Sequence, residues 1–140
     1  MENKISKVSL LWVIVMVGFL AHTVAELLPV FWGVDIAIAG ATGEAPTGML
    51  IFMTAVSFFI PMCGLFCMQY RKSKAMRVLN LVLASLTMLF NIFHAGELIT
   101  EFSPVQLFIH PVMAVIGVYL FVFSIQVLKQ EPNTQPDYAA

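Results

Sequence analysis

The chain has 140 residues, of which 60% are hydrophobic and 11% charged, and its formal net charge is −1. A soluble domain carries about one-quarter charged residues, and nucleic-acid binding needs a concentrated basic face, so the composition excludes both classes. The length suits one compact unit, and the two cysteines lie inside an apolar run and cannot make a disulfide framework.

Apolar stretches run over Val8–Trp32, Gly48–Met68, Val78–Ile99 and Val105–Leu128. Each approaches the roughly 20 residues that a helix needs to cross the hydrocarbon. This predicts an all-α, integral membrane four-helix bundle over residues 1–129. In the first stretch Lys4 and Lys7 precede the apolar run, and Thr23-Val24-Ala25 loosely resembles a secretory cleavage site. The run continues through Leu27, Leu28 and Val30, which favours a retained helix, with Trp32 as an interfacial anchor. The segment Gly33–Thr47 holds Gly40, Gly43 and Pro46, and its glycines follow no strand and open no phosphate-binding helix, so they read as turns. In the second stretch Cys63 and Cys67 read as packing thiols, and Pro61 there, like Pro111 in the fourth, is expected to kink or loosen its helix. Ser103-Pro104 reads as the cap and first turn of the fourth helix. The polar segment 130–140, with Pro132 and Pro136, reads as a disordered cytoplasmic tail.

All seven basic residues fall on one side of this map: Lys4 and Lys7, then Arg71, Lys72, Lys74 and Arg77, then Lys129. The positive-inside rule therefore puts both termini in the cytoplasm of a bacterial-type inner membrane. The opposite segments hold Asp35, Glu44 and Glu101 and no Lys or Arg. The cluster around Arg71 and Lys72 reads as a topology determinant, with contact to anionic lipid as its other use.

Ionisable residues inside such spans are rare, because an unpaired charge near the bilayer centre costs roughly 2.5–3.5 kcal/mol. Here the first span carries His22 and Glu26, the third Asn91, His94 and Glu97 followed by Glu101, and the fourth His110, which uses all three histidines of the chain. Residues three or four apart share a helix face, so His22 pairs with Glu26, and His94, Glu97 and Glu101 form one stripe with Asn91 a turn below. Counted from the cytoplasmic ends at about 1.5 Å per residue, His22 lies at ~21 Å, His94 at ~24 Å, and Glu26, Glu97 and His110 at about 27–28 Å. Three helices thus deliver His and Glu to one layer in the outer part of the membrane.

Imidazole and carboxylate are ligands of zinc, iron and manganese, and helix bundles present them inward at these spacings. The leading expectation is a divalent metal (zinc, iron or manganese) on His22, His94 and His110. Glu26 or Glu97 would be a fourth ligand, a partner orienting an imidazole, or a catalytic base on metal-bound water. Metal-assisted chemistry on a small or lipid-like molecule would be its use. The alternatives are a metal-free acid–base enzyme with Glu26 and Glu97 as its carboxylates, a proton-coupled carrier needing a homodimer to form a path, a bis-histidine haem site, and a structural module in which His–Glu pairs fix helix packing. No P-loop, Rossmann fingerprint, serine elbow or Cys-x-x-Cys occurs.

Through Leu11-Trp12, Ile60-Pro61-Met62 and the opening of the third span from Arg77 to Asn80, the chain resembles a group of uncharacterised short four-span bacterial integral membrane proteins. The resemblance implies a four-helix inner-membrane fold and carries no activity with it. The His22-x-x-x-Glu26 element alone also resembles the His/Glu pair of small multispan sterol-isomerase-type proteins.

Overall fold

The computed structural model describes residues 2–37, 40–44, 46–100 and 104–129. Every regular element among them is helical: α1 (Glu2–Leu27) with a 3-10 turn over Leu28–Trp32, α2 (Thr47–Gln69), α3 (Lys74–Thr100) and α4 (Gln106–Leu128). These four helices are long and apolar enough to cross a membrane. Two begin several residues before their apolar stretches, α1 at Glu2 and α3 at Lys74. Hydropathy marks the segment suited to hydrocarbon, whereas the backbone hydrogen-bond ladder continues through polar residues that favour helix. Glu101, Ser103 and the segment 130–140 lie outside the described residues, and α4 opens after Pro104 with Val105 in the cap position. The turn reading of the first connecting segment holds, since Gly33, Gly40 and Gly43 have φ of 75°, 80° and 81°, a region that side chains strain.

The prolines act differently. Pro61 has no N–H and its ring crowds the carbonyl of Ser57. The turn directly ahead of it, Ala55–Phe59, widens to a π-helix that takes up the mismatch between α-helical Thr47–Thr54 and Ile60–Gln69. Pro111 sits within the second turn of α4, where it leaves the Leu107 carbonyl without its usual donor while the helix continues.

Three helices bury a single seam with alternating steps of three and four residues. In α1 it is Val8, Trp12, Val15, Phe19 and His22, and in α4 it is Gln106, His110, Met113, Gly117, Leu120, Ser124 and Val127. In α3 it runs Arg77, Asn80, Ala84, Thr87 and Asn91, ending at half-buried His94. A 3.5-residue repeat keeps one face toward its neighbours along the whole bundle. Between the two polar ends the outward faces of the helices are rich in apolar side chains, with Leu10, Val17, Leu20, Phe58, Phe93 and Phe108 among the exposed ones.

Two polar cross-links fix the chain direction. At one end Trp12 Nε1 donates to Asn80 Oδ1 at 2.9 Å, and Asn80 Nδ2 donates to Ser124 Oγ at 2.8 Å. At the other end His22, His94 and His110 meet. Since α1 runs from Trp12 to His22 and α3 from Asn80 to His94, while α4 runs the other way from His110 to Ser124, the helices alternate up and down. In α2, Gly64 lies against the Trp12 indole, where any Cβ would overlap the ring, and Phe52 meets Phe90 with ring centroids 6.0 Å apart. All seven basic residues of the sequence lie at or beyond the Trp12–Asn80 level, with Lys7 Nζ 5.5 Å from the Phe123 ring centroid. On α4, Gly117 brings that helix close to α3, with a Cβ there reaching within 3.1 Å of Met88 Cα.

Candidate metal centre

The seams of α1, α3 and α4 each carry a histidine near the same end of the bundle, late in α1 and α3 and early in α4, and the alternating direction brings these to one level. His22 Nε2 lies 3.3 Å from His94 Nε2, and His22 Nδ1 lies 3.3 Å from His110 Nε2. The His94 and His110 ring centroids are 4.4 Å apart. One nitrogen can be taken from each ring so that all three lie within 4.8 Å of one another. Metal–nitrogen bonds of about 2.0–2.1 Å in tetrahedral geometry set neighbouring ligand nitrogens about 3.3–3.4 Å apart. The His22 Nε2–His94 Nε2 pair already has that spacing, while the His110 contact is made to the other nitrogen of His22.

The hydrogen-bond partners determine which nitrogens carry protons. Gln106 Oε1 lies 2.8 Å from His22 Nδ1, and a carbonyl oxygen only accepts, so His22 Nδ1 is the protonated nitrogen and its Nε2 holds a lone pair. Glu97 Oε2 lies 2.8 Å from His94 Nδ1, which leaves the His94 Nε2 lone pair facing that of His22. His110 Nε2 faces the His22 Nδ1 proton and therefore also offers its lone pair. The remaining nitrogen, His110 Nδ1, is buried without a hydrogen-bond partner. With neutral rings, the Nε2 lone pairs of His22 and His94 face each other, and that of His110 faces the His22 Nδ1 proton.

That space is small. The cavity between the rings is about 10 Å³, lined by Gly18, Phe19, His22, Asn91, His94, Ile109, His110 and Met113. It has room for roughly one water-sized group. Asn91 is held there by donating Nδ2 to the Thr87 carbonyl at 2.9 Å. A haem or a lipid-like substrate would need far more volume than this space offers.

Neither carboxylate expected at the site lines the cavity. Glu26 Oε1 lies 3.4 Å from His22 Nε2 with its side chain 56% exposed, and Glu97 holds His94 with its side chain 61% exposed. Both stand at the rim, one turn beyond their histidines, because i,i+3 and i,i+4 spacing on a helix near its end leads outward. Their roles differ by which nitrogen they face: Glu97 meets the outer nitrogen of His94, and Glu26 meets the inward nitrogen of His22. Cys63 and Cys67 are free thiols, Cys63 half-buried and Cys67 within the same buried core cluster as Trp12.

Sequence reasoning missed Gln106. The available signal was its i,i+4 spacing from His110 in an otherwise apolar helix, which puts an amide on the histidine face. Comparison of the chain with protein-family models, with curated proteins and with solved structures finds no match.

Proposed function

We propose that this chain is a multi-pass protein of a bacterial-type inner membrane that binds one transition-metal ion through His22, His94 and His110, near the outer face. The membrane reading is supported by four helices long and apolar enough to span and by the apolar outward surface. The orientation, with both termini cytoplasmic, is supported by the gathering of every Lys and Arg at the Trp12–Asn80 end.

The observation that carries the metal reading is the set of three imidazoles lining one small cavity, with one nitrogen from each within 4.8 Å of the others and the His22 and His94 Nε2 atoms 3.3 Å apart. Lone pairs crowded together repel unless a cation sits among them, and the class of zinc, iron and manganese takes imidazole readily. Glu97 then acts as the carboxylate that orients a ligating histidine from behind, and Gln106 does the same for His22. Glu26 is the rim carboxylate that an entering ion meets first. The cavity's size supports binding of an ion over turnover of a lipid-like substrate.

A shared proton between His22 and His94 Nε2 at 3.3 Å would satisfy the same pair, which is the basis of the acid–base alternative. Metal analysis of protein purified without a histidine tag separates the two. Stoichiometric metal, lost in His94→Ala, is the expected result. Wild-type protein that takes up no transition metal on titration at neutral pH would replace the metal with a proton.

A further inference from the structure

We propose that the ion at this site is cuprous copper, with the Met113 thioether completing the three-imidazole set. The inference rests on the metal-binding reading above and names the ion. Met113 follows His110 by three residues on the α4 seam, is buried, and lines the same cavity as the three histidines. Gly18 lies one turn before His22 on α1 and lines the cavity as well. A Cβ at Gly18 would overlap Met113 Sδ. The absence of a side chain at position 18 therefore makes the seat in which the sulfur rests against the histidine level.

Two features of this donor set discriminate between ions. A thioether is a soft, neutral ligand that holds Cu(I) and adds little for zinc, iron or manganese, whereas imidazole serves all of them. Three imidazoles and one thioether also carry no charge, and the carboxylates Glu26 and Glu97 stand at the rim with their side chains more than half exposed. The cost of enclosing an ion rises steeply with its charge, so a neutral enclosure favours a monovalent ion over a divalent one. The two thiols, Cys63 and Cys67, belong to the α2 segment that packs at the Trp12 end.

The test is an anaerobic Cu(I) titration of the full chain in detergent against the chelator bicinchoninate, with a parallel zinc titration against a zinc chromophore. Both use a Cys63→Ala/Cys67→Ala background, with and without Met113→Leu. Leucine is close to methionine in volume, and Gly18→Ala provides a second variant that displaces the sulfur without removing it. One Cu(I) per chain is expected on the cysteine-free background. Met113→Leu and Gly18→Ala should each weaken Cu(I) binding at least about tenfold while leaving zinc within about twofold, and X-ray absorption at the copper edge should lose its sulfur scatterer. Loss of Cu(I) binding on removing the cysteines, or Cu(I) binding indifferent to Met113→Leu, would overturn the inference. Zinc bound at the histidines without any copper preference would overturn it alone, whereas wild-type protein that binds neither metal would overturn the metal reading with it.

Discussion

The Gln106 amide oxygen accepts from His22 Nδ1 at 2.8 Å and so keeps the Nε2 lone pair of that ring turned inward. Gln106→Ala removes the acceptor and frees the ring to present either nitrogen. Loss of such a supporting partner typically weakens metal binding by about 10- to 100-fold. A zinc titration of the purified variant should read a loss in that range, and an unchanged affinity would mean that Gln106 does not set the tautomer. Protons compete for the same nitrogens. A protonated imidazole cannot coordinate, and the ordinary imidazole value is about 6.5. Metal uptake should therefore be complete above neutrality, fall as the pH drops below about 6.5, and return when the pH is raised. Uptake indifferent to pH between about 5 and 8 would point to a site built from something other than imidazole.

Among the elements, α2 is the irregular one. Its first segment, Thr47–Thr54, buries no residue, and the π turn Ala55–Phe59 separates it from the segment that packs on α1. That second segment places Gly64 under the Trp12 indole, whose Nε1 donates to Asn80. Gly64→Ala pushes the indole off this seat and strains its bond to Asn80, an overpacking change that typically costs about 1–3 kcal/mol. Thermal unfolding in detergent should move down accordingly. His22 lies ten residues further along α1, about 15 Å, so the proposed metal stoichiometry should stay at the wild-type value. A Gly64→Ala protein that kept full stability would show that Trp12 has room to move.

At the scale of the whole molecule, orientation and site location depend on each other. The basic residues and the histidine cluster occupy opposite ends of one bundle, fixed by the Trp12–Asn80–Ser124 link at one level and the histidine contacts at the other. With the basic end inside, the histidine cluster would face the outer side of the membrane. A cysteine introduced by Ser73→Cys, in the exposed turn between α2 and α3, should resist a membrane-impermeant reagent in intact cells and react after permeabilisation. The experiment uses the cysteine-free background so that Cys63 and Cys67 contribute no signal. Efficient labelling in intact cells would invert the protein and put the histidines toward the cytoplasm.

The sequence by itself determined the helical class, the four apolar spans and the segregation of charge, because each follows from local composition and from the solvent that the chain must meet. It also placed His22, His94 and His110 at similar heights, since rise per residue converts position into depth. Helix bounds were less legible: α1 and α3 extend into polar residues, which an apolar count cannot register. Which face of each helix turns inward was decided only by the tertiary structure. Where nearly every position is apolar, hydrophobicity no longer separates the inside from the outside, and the seam is marked instead by small and polar residues such as Gly117, Asn80, Ser124 and Asn91. The same holds for the site. Sequence spacing grouped Glu26 and Glu97 with the histidines, but the packing keeps both at the rim and brings in Gln106 and Met113 from α4. A contact between helices depends on their rotation and crossing, and neither quantity is written in the order of residues along one helix.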